Sequence, residues 1–536
     1  MLPRVRLLID MISLFGQRSK CVRCRTTASG RYAITSPLVL SALILVACQR
    51  GTRSEAKSDV VRSVAKSSTD AALNVEERIK RIEGGLLPAI AVRGRADTTY
   101  ALADRMRRYG VPAVSLAVID SGRVVWARAF GLVEAGRGEA VDTTTLFQAG
   151  SISKAVTSVA VLRLVDKGEL SLDENVNSRL VTWKVPESAL TTESPVTLRL
   201  LLSHGAGVGV PGFPGYKLGE PTPTLHQTLD GVPPSNTPAV RVEAKPGTAW
   251  QYSGGGTSIV QQLLVDVAGT DFPSLIQRVV MEPAGMRRST FALPGAPNTT
   301  GRATGHAPAD TPVPARWRIY PELAAAGMWS TATDLAQLGV ALLHAKRGAP
   351  DAILKPGTAR DMLTRQMGSW GLGLALGGGE GDSATFGHEG STAGFTSRLV
   401  VLGETGQGVA IMTNGESEAL INEITRSIAS EYRWPVRSRP VKLVAAVAPA
   451  GFAGLAGGYR IRLDERAFDV SVTTDGERLY FTGSSGRPAV ILPQATLRFF
   501  SQESGTEFTF IAPNGGAATA IIIDQPGQRF TAERVP

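Results

Sequence analysis

Cysteine is scarce in this chain. Its 536 residues contain three cysteines, Cys21, Cys24 and Cys48, and all three lie in the N-terminal segment. Cys21 and Cys24 have the spacing of a redox or zinc site, but the sequence offers no second pair to complete one. If the chain is processed at Cys48, as argued below, the mature protein has no free thiol and no disulfide, so packing must stabilise it.

Histidine is nearly as rare, with five residues in the whole chain. Four of them form no H-x-x-x-H pattern and no mixed His/Cys cluster of the kind that holds a metal ion. We therefore expect neither a metal nor another cofactor. These four are His204, His226, His306 and His344.

Basic runs are absent from most of the chain. The net charge of +10 comes largely from residues 1–48, which hold seven basic side chains and one acidic one. The remainder carries about +4 and shows no stripe of basic and aromatic residues, so the charge pattern predicts no nucleic-acid partner.

The apolar run near the N-terminus, residues 38–47, is too short to span a bilayer as a stable helix. A basic segment precedes it and Cys48 follows, which is the order of a signal peptide. The segment Leu45-Val46-Ala47-Cys48 resembles a bacterial lipoprotein signal, whose cysteine is acylated and becomes the new N-terminus. We therefore expect residues 1–48 to be a lipoprotein signal peptide and the protein to be exported and lipid-anchored in the cell envelope, facing the periplasm. A plain secretory signal cleaved nearby is the alternative.

Four further segments differ in composition and hydrophobic period. Residues 49–95 comprise a polar tether and a short amphipathic helix. Residues 96–435 mix helical and strand patterns, with strands at both ends, which predicts one α+β domain whose terminal strands share a sheet. Residues 436–450 are typical of a linker. Residues 451–536 show short alternating strands with frequent turn signals, typical of a small all-β module.

Ser151 and Lys154 stand at the start of a helical pattern over residues 151–167. Residues three apart share one face of a helix, so the lysine amine can reach the serine hydroxyl. The free backbone N–H groups at a helix N-terminus also favour a developing oxyanion. The pair predicts an activated serine nucleophile, although S-x-x-K alone also fits a capping serine beside a solvated lysine.

Other motifs follow this pair in a fixed order. With them the chain resembles the serine β-lactamases and penicillin-recognising enzymes, in the branch of class C β-lactamases, D-alanyl-D-alanine carboxypeptidases and related esterases. The resemblance implies a β-lactamase/transpeptidase-like catalytic domain, with an antiparallel sheet flanked by helices and a helical subdomain. The C-terminal module resembles the small lipocalin-like domains appended to some of these hydrolases. The motifs lie at residues 170–176, 197–207, 246–248, 252–256, 282–286, 326–331 and 388–390.

The resemblance also implies roles for residues outside the Ser-x-x-Lys motif. Tyr252 matches the tyrosine of the second motif, where Lys154 would stabilise its phenolate so that the two share the proton of Ser151. The alternative is a strand-end tyrosine with its hydroxyl at the surface.

His388-Glu389-Gly390 occupies the place of Lys-Thr-Gly in many relatives. Gly390 would let substrate approach an edge strand, and the N–H of Ser391 would join that of Ser151 in the oxyanion hole. His388, mostly neutral at pH 7, is expected to donate a hydrogen bond, with a plain surface histidine as the alternative. Arg398 has two interpretations: it supplies positive charge near the site, or it is a solvated strand residue.

Two positions depart from the family pattern. Gly254 stands where β-lactamases have the asparagine of Tyr-x-Asn, and His388 replaces a lysine that helps to bind a carboxylate. Both departures argue against efficient β-lactamase action, and neither affects the nucleophile or its base.

The sequence thus predicts a cell-envelope serine hydrolase that forms a Ser151-acyl intermediate with a peptide or small-molecule substrate. A D-amino-acid peptidase or an esterase is the first expectation. A weak class C-type β-lactamase is an alternative, and so is a penicillin-binding sensor that acylates without turnover.

Overall fold

The computed structural model describes residues 74–293, 301–308, 311–436, 439–463, 466–483, 486–525 and 528–536. The signal segment with Cys48 and most of the tether lie outside these residues. Residues 74–84 form a helix, α1. No helix in the described ranges has both the length and the apolar character needed to cross a bilayer.

Most strands before the C-terminal module are short, and the longer ones belong to one central sheet. They are β1 (Ala91–Val92), β2 (Ala113–Asp120), β3 (Arg123–Gly131), β4 (Phe147–Gln148), β5 (Tyr216–Lys217), β6 (His306–Ala307), β7 (Thr311–Pro312), β8 (Arg318–Ile319), β9 (Trp329–Ser330), β10 (Ala375–Gly377), β11 (Thr385–Thr392), β12 (Phe395–Leu402), β13 (Gly408–Thr413) and β14 (Val441–Lys442).

Helices separate most of these strands, and a π-helical turn, Gln277–Met281, joins α8 to α9. The helices after α1 are α2 (Leu102–Tyr109), α3 (Ile152–Asp166), α4 (Ala189–Glu193), α5 (Leu198–Leu202), α6 (Leu225–Asp230), α7 (Gly254–Ala268), α8 (Phe272–Ile276), α9 (Glu282–Ala284), α10 (Leu323–Ala326), α11 (Ala332–Arg347), α12 (Pro356–Met362), α13 (Glu418–Glu431) and α14 (Phe452–Leu455).

The central sheet is antiparallel and has the strand order β10-β11-β12-β13-β2-β3. The pairing of β13 with β2 brings the two ends of the α+β domain together, as the sequence pattern predicts. Every residue of β13, and nearly every residue of β2, is buried, because helices cover both faces of the sheet. The expected α+β fold class is confirmed.

The two faces of the sheet carry different helices. Arg398 of β12 bonds to Asn422 of α13, 2.7 Å away, so that face is covered by α13. Leu399 points to the other face, where it lies beside Gly339 of α11. His388 is paired with Leu399 across the strands, whereas Glu389 is paired with Arg398. Successive residues of β11 therefore serve opposite faces.

Helix α3 lies at the centre of the domain. Almost all of its residues are buried, and it packs against α7, α10 and strand β11. A helix that is apolar all round is buried on every side, which explains why its sequence, Ile152–Asp166, shows no single apolar stripe. Its N-terminus is consequently held in a fixed place.

The C-terminal module is a closed eight-stranded antiparallel barrel. Large side chains fill its interior, including Tyr459, Phe499, Phe508 and Phe510, and Phe452 of α14 contacts Phe499 edge to face. Closure leaves no free strand edge. The expected small all-β domain is confirmed. Its strands are β15 (Gly457–Leu463), β16 (Arg466–Thr474), β17 (Leu479–Thr482), β18 (Pro488–Ala495), β19 (Arg498–Ser501), β20 (Glu507–Ile511), β21 (Ala520–Gln525) and β22 (Gln528–Arg534).

A buried arginine joins the barrel to the α+β domain. Arg105 of α2 is 3% exposed and forms two hydrogen bonds with Glu423 of α13, 2.8 and 2.5 Å long. It also contacts Glu503 of the barrel at 3.2 Å, and Tyr109 donates a hydrogen bond to Glu423. Backbone hydrogen bonds from residues 89 and 90 to residues 503 and 502 reinforce the junction.

A second buried charge-bearing group, Glu322, lies just before α10. Its side chain is fully buried, and Thr228 donates a hydrogen bond of 3.4 Å to Oε1. Its other oxygen has no hydrogen-bond partner within the described ranges. Burial raises the pKa of Glu322 to about 7. The carboxyl is therefore largely a neutral acid below neutral pH.

We predict that Arg105→Ala lowers the free energy of unfolding by about 3 kcal/mol, because Glu423 is left as a buried, unpaired charge. Urea denaturation followed by circular dichroism measures the change. Arg107→Ala on the same helix is the matched control, since the Arg107 side chain is 75% exposed. Equal denaturation midpoints for the two variants would contradict the prediction.

Glu322→Gln should make stability less dependent on pH. The folded state favours the neutral acid of Glu322. Its contribution to the free energy of unfolding is complete below pH 4.5 and is lost as the pH rises through about 7. Between pH 5 and pH 8 the wild-type protein should lose about 2 kcal/mol relative to Glu322→Gln. Chemical denaturation at both pH values measures this, with exposed Glu187→Gln as the control. Parallel curves for wild type and Glu322→Gln would refute it.

Candidate active site

Ser151 lies in a tight turn between β4 and α3. Gly150 has a φ of +52°, and a Cβ at that position would lie 2.8 Å from the backbone nitrogen of Ser391. Glycine is therefore required both by the conformation and by the close approach of the two segments. The Ser153 hydroxyl donates to the Gly150 carbonyl at 2.6 Å and accepts from the N–H of Met328 at 3.1 Å. These bonds fix the turn that presents Ser151.

Lys154 is one helical turn after Ser151 and points back to it. Its Nζ donates to Ser151 Oγ at 3.1 Å and to the carbonyl of Ala325 at 2.8 Å. Lys154 is 3% exposed, and both acceptors are uncharged oxygens. Burial without a balancing negative charge lowers the pKa of Lys154 to about 7. A large fraction of this amine is therefore neutral near pH 7 and able to accept a proton.

Tyr252 packs against the same amine, with its ring centroid 5.0 Å from Lys154 Nζ. Its phenol oxygen is buried and makes no hydrogen bond of standard geometry with the described residues. Burial raises the pKa of Tyr252, and the nearby Ser151 hydroxyl opposes this only in part. Desolvation thus disfavours the phenolate that the resemblance implies beside Lys154, and the sharing of the Ser151 proton by the two groups stays a prediction. Tyr252 is a protonated donor at neutral pH.

His388 lies on the face of β11 that points towards Tyr252, and the two rings are 6.4 Å apart. Its Nδ1 donates to the carbonyl of Glu389 at 2.5 Å, while Nε2 is buried without a partner within the described part of the chain. Burial, followed by the charge of Lys154, lowers the pKa of His388 to about 3. The ring is neutral, as expected. The donor of His388 is therefore Nδ1, which bonds to the backbone, whereas Nε2 carries no proton and can only accept a hydrogen bond.

Gly390 and Ser391 bring β11 against the Ser151 turn. A Cβ at Gly390 would overlap the carbonyl oxygen of Ala149, and Ser397 donates to that oxygen at 2.9 Å. β11 is not the edge strand of the sheet, since β10 lies outside it. However, β10 pairs only with residues 385–387, so the outer side of β11 beyond His388 has no partner from β10. The role of the Ser391 N–H in an oxyanion hole stays a prediction.

Three aromatic side chains border the site that the sequence did not mark as functional. Trp370 contacts both Tyr252 and His388, at centroid distances of 5.7 and 5.1 Å. Trp250 stacks on Trp370 at 6.1 Å and is 42% exposed. His204 lies 4.4 Å from the Tyr252 ring and accepts the N–H of Ser253 at its Nδ1. Trp250 stands two residues before Tyr252 in the sequence, and this spacing could have identified Trp250 as a residue of the site.

The remaining predicted positions lie differently from expectation. Arg398 is 5% exposed and pairs with Glu389 at 2.6 Å on the α13 face, so it is neither solvated nor directed at the site. At Gly254 a Cβ would lie 2.9 Å from Phe213 Cε2. The phenylalanine thus fills the space that an asparagine would need. No group of three His, Cys, Asp or Glu side chains suited to a metal ion occurs among the residues that the structure describes.

Together these residues form a candidate acyl-transfer site. A hydroxyl nucleophile contacts a buried amine, a protonated phenol lies beside that amine, and two backbone segments meet at the nucleophile. Such a set can attack an ester or amide carbonyl without a metal.

The comparisons with known proteins agree with this chemistry. The family model for beta-lactamase matches residues 100–431. Penicillin-binding protein 4 of Amycolatopsis lactamdurans is 28% identical over 373 residues, which cover 65% of this chain and 93% of that protein. Esterase EstB of Burkholderia gladioli is 30% identical over 217 residues, which cover 38% of this chain and 53% of the esterase.

The octameric penicillin-binding protein homologue from Pyrococcus abyssi has a similar fold. The structural match covers 80% of this chain and 98% of that one, with a TM-score of 0.54 and 22% identity. Since the family match spans more than half of the chain, this protein belongs to the beta-lactamase family, whose fold is shared by serine hydrolases such as esterases and peptidases.

Proposed function

We propose that this protein hydrolyses ester or amide bonds through an acyl intermediate on Ser151. The observation that carries the proposal is the 3.1 Å contact between Ser151 Oγ and a lysine amine whose pKa burial lowers to about 7, so that a large fraction is neutral and able to accept a proton near pH 7. A serine hydroxyl is a weak nucleophile unless an adjacent base removes its proton. Lys154 meets that requirement.

In the acylation step, Ser151 Oγ attacks the substrate carbonyl carbon while Lys154 takes the hydroxyl proton. The oxyanion that forms accepts hydrogen bonds from the N–H groups of Ser151 and Ser391. The bond to the leaving group then breaks as Tyr252 gives its proton to the departing oxygen or nitrogen, and Tyr252 regains a proton from Lys154. The acyl group remains on Ser151, and Lys154 is again neutral.

Deacylation repeats these steps with water as the nucleophile. Lys154 accepts a proton from water as the water oxygen attacks the acyl carbon, and Ser151 leaves with a proton returned through Lys154 and Tyr252. The neutral amine is needed in both halves of the reaction. The rate should therefore follow the deprotonation of Lys154.

For the substrate, we favour an ester or a D-amino-acid peptide over a penicillin. His388 is neutral where a lysine would bind a carboxylate, and Phe213 excludes the asparagine of the β-lactamase motif at position 254. The similarity to Esterase EstB supports an ester substrate.

We also propose that the protein is exported and anchored to the membrane of the cell envelope by a lipid on Cys48. The support is the order of basic segment, apolar run and cysteine in residues 1–48. An anchored hydrolase would meet substrates of the envelope.

Ser151→Ala should reduce the hydrolysis of p-nitrophenyl acetate on the order of 10⁴-fold, because the acyl acceptor is lost. Steady-state absorbance assays measure the rate, and mass spectrometry of quenched wild-type enzyme should find the acetyl group on Ser151. Wild-type rates in Ser151→Ala would refute the proposal. A lasting adduct with no turnover would indicate the sensor function instead, and rapid nitrocefin hydrolysis would indicate a β-lactamase.

The pH profile of kcat/KM should rise with pH through about 7 and then level off, because the neutral amine of Lys154 is the active form. Below pH 6 the rate should fall about tenfold per pH unit. Lys154→Ala should lose most activity and this dependence. Lys167→Ala, at the exposed end of α3, is the control and should retain the wild-type profile. A wild-type profile that is flat from pH 5 to pH 9 would contradict the role of Lys154.

A further inference from the structure

Two buried polar atoms in the site lack partners within the described part of the chain: the phenol oxygen of Tyr252 and Nε2 of His388. The two rings are 6.4 Å apart, and Trp370 contacts both. Buried polar groups in folded proteins almost always have hydrogen-bond partners. The Ser151 hydroxyl lies near the Tyr252 oxygen, whereas Nε2 of His388 has no partner among the described residues and is the polar atom that a bound molecule would satisfy.

The hydrogen bond at the other ring nitrogen decides what His388 can bind. A carbonyl oxygen only accepts hydrogen bonds, so the 2.5 Å contact with the Glu389 carbonyl places the proton on Nδ1. A neutral ring then has a lone pair and no proton on Nε2. This nitrogen can accept a hydrogen bond from an N–H or O–H group, and it repels a carboxylate.

The charges around His388 do not restore affinity for a carboxylate. Glu389 and Arg398 pair with each other on the opposite face of the sheet, where Arg398 also bonds to Asn422 of α13. The charge-bearing group that acts on His388 is Lys154, but a large fraction of this amine is neutral near pH 7 and it is already bonded to Ser151 and to the Ala325 carbonyl. A free carboxylate at His388 would therefore be desolvated without a dedicated cation.

The walls of this subsite add an apolar preference. Trp370 is buried beside His388, and the partly exposed Trp250 stacks on it towards solvent. Aromatic faces of this size favour flat or apolar groups. The neighbouring groups thus suit a neutral leaving group that carries one hydrogen-bond donor.

We propose that His388 Nε2 accepts a hydrogen bond from a neutral N–H or O–H group of the leaving group, so that the enzyme prefers uncharged leaving groups to those with a free carboxylate. The inference rests on the proposed hydrolysis through Ser151. It makes His388 a specificity-determining residue. It also implies cleavage within a peptide chain, or of neutral esters and amides, in preference to removal of a terminal amino acid.

The test compares two aryl esters that differ in one group, 3-carbamoylphenyl acetate and 3-carboxyphenyl acetate. Each kcat/KM is divided by the rate of hydroxide hydrolysis of the same ester, which corrects for leaving-group reactivity. The wild-type enzyme should prefer the carbamoyl ester at least tenfold. An equal or reversed preference, with both esters hydrolysed, would overturn the inference and leave the proposed function intact.

Variants at position 388 separate charge from structure. His388→Lys should reduce the preference at least tenfold or reverse it, whereas His388→Gln, which keeps a neutral acceptor, should retain it. His226→Lys adds the same charge at an exposed position and should leave the preference unchanged. If His388→Lys fails to fold by circular dichroism, loss of the preference in His388→Gln overturns the inference and its retention supports it.

One further outcome addresses both proposals. If the wild-type enzyme hydrolyses neither ester and no acetyl group is found on Ser151, the proposed function fails and this inference fails with it. Hydrolysis of both esters without discrimination refutes the inference alone.

Discussion

The burial of one lysine amine governs the rest of the site. Lys154 is enclosed by α3, α10 and the Tyr252 ring, and its only hydrogen-bond partners in the described structure are the Ser151 hydroxyl and the Ala325 carbonyl. A buried amine without a carboxylate partner is stable mainly in its neutral form. The large neutral fraction of this amine near pH 7, and the protonated state of Tyr252 beside it, both follow from that enclosure. The core that surrounds α3 therefore determines the chemistry as well as the stability.

The arrangement depends equally on two close backbone approaches. Gly150 and Gly390 allow the turn before α3 and strand β11 to lie nearer than any side chain would permit. The sheet reaches this position because β13 and β2, from opposite ends of the domain, are paired. On the face of the sheet covered by α13, Arg105 links helices α2 and α13 to the barrel. The contacts that Arg105 makes with the barrel are therefore away from the nucleophile.

Much of this could be predicted from the sequence. The α+β class, the all-β module and the contact between Ser151 and Lys154 follow from local pattern and helix geometry. The protonation states of Tyr252 and His388 could not be predicted, because they depend on burial by distant residues such as Trp370 and on a hydrogen bond to the backbone. The pairing of Arg398 with Glu389 was hidden for a related reason, since it depends on the register of two strands.

That register has a consequence for how this protein can change over evolution. His388 and Glu389 are adjacent, yet one faces the site and the other pairs with Arg398 behind the sheet. Loss or gain of a single residue in β11 would exchange them, placing a carboxylate beside Lys154 and leaving Arg398 unpaired. A substitution at one position of this strand changes one contact, whereas an insertion or deletion moves every residue beyond it to the other face. The length of β11 is thus tightly constrained by its two faces.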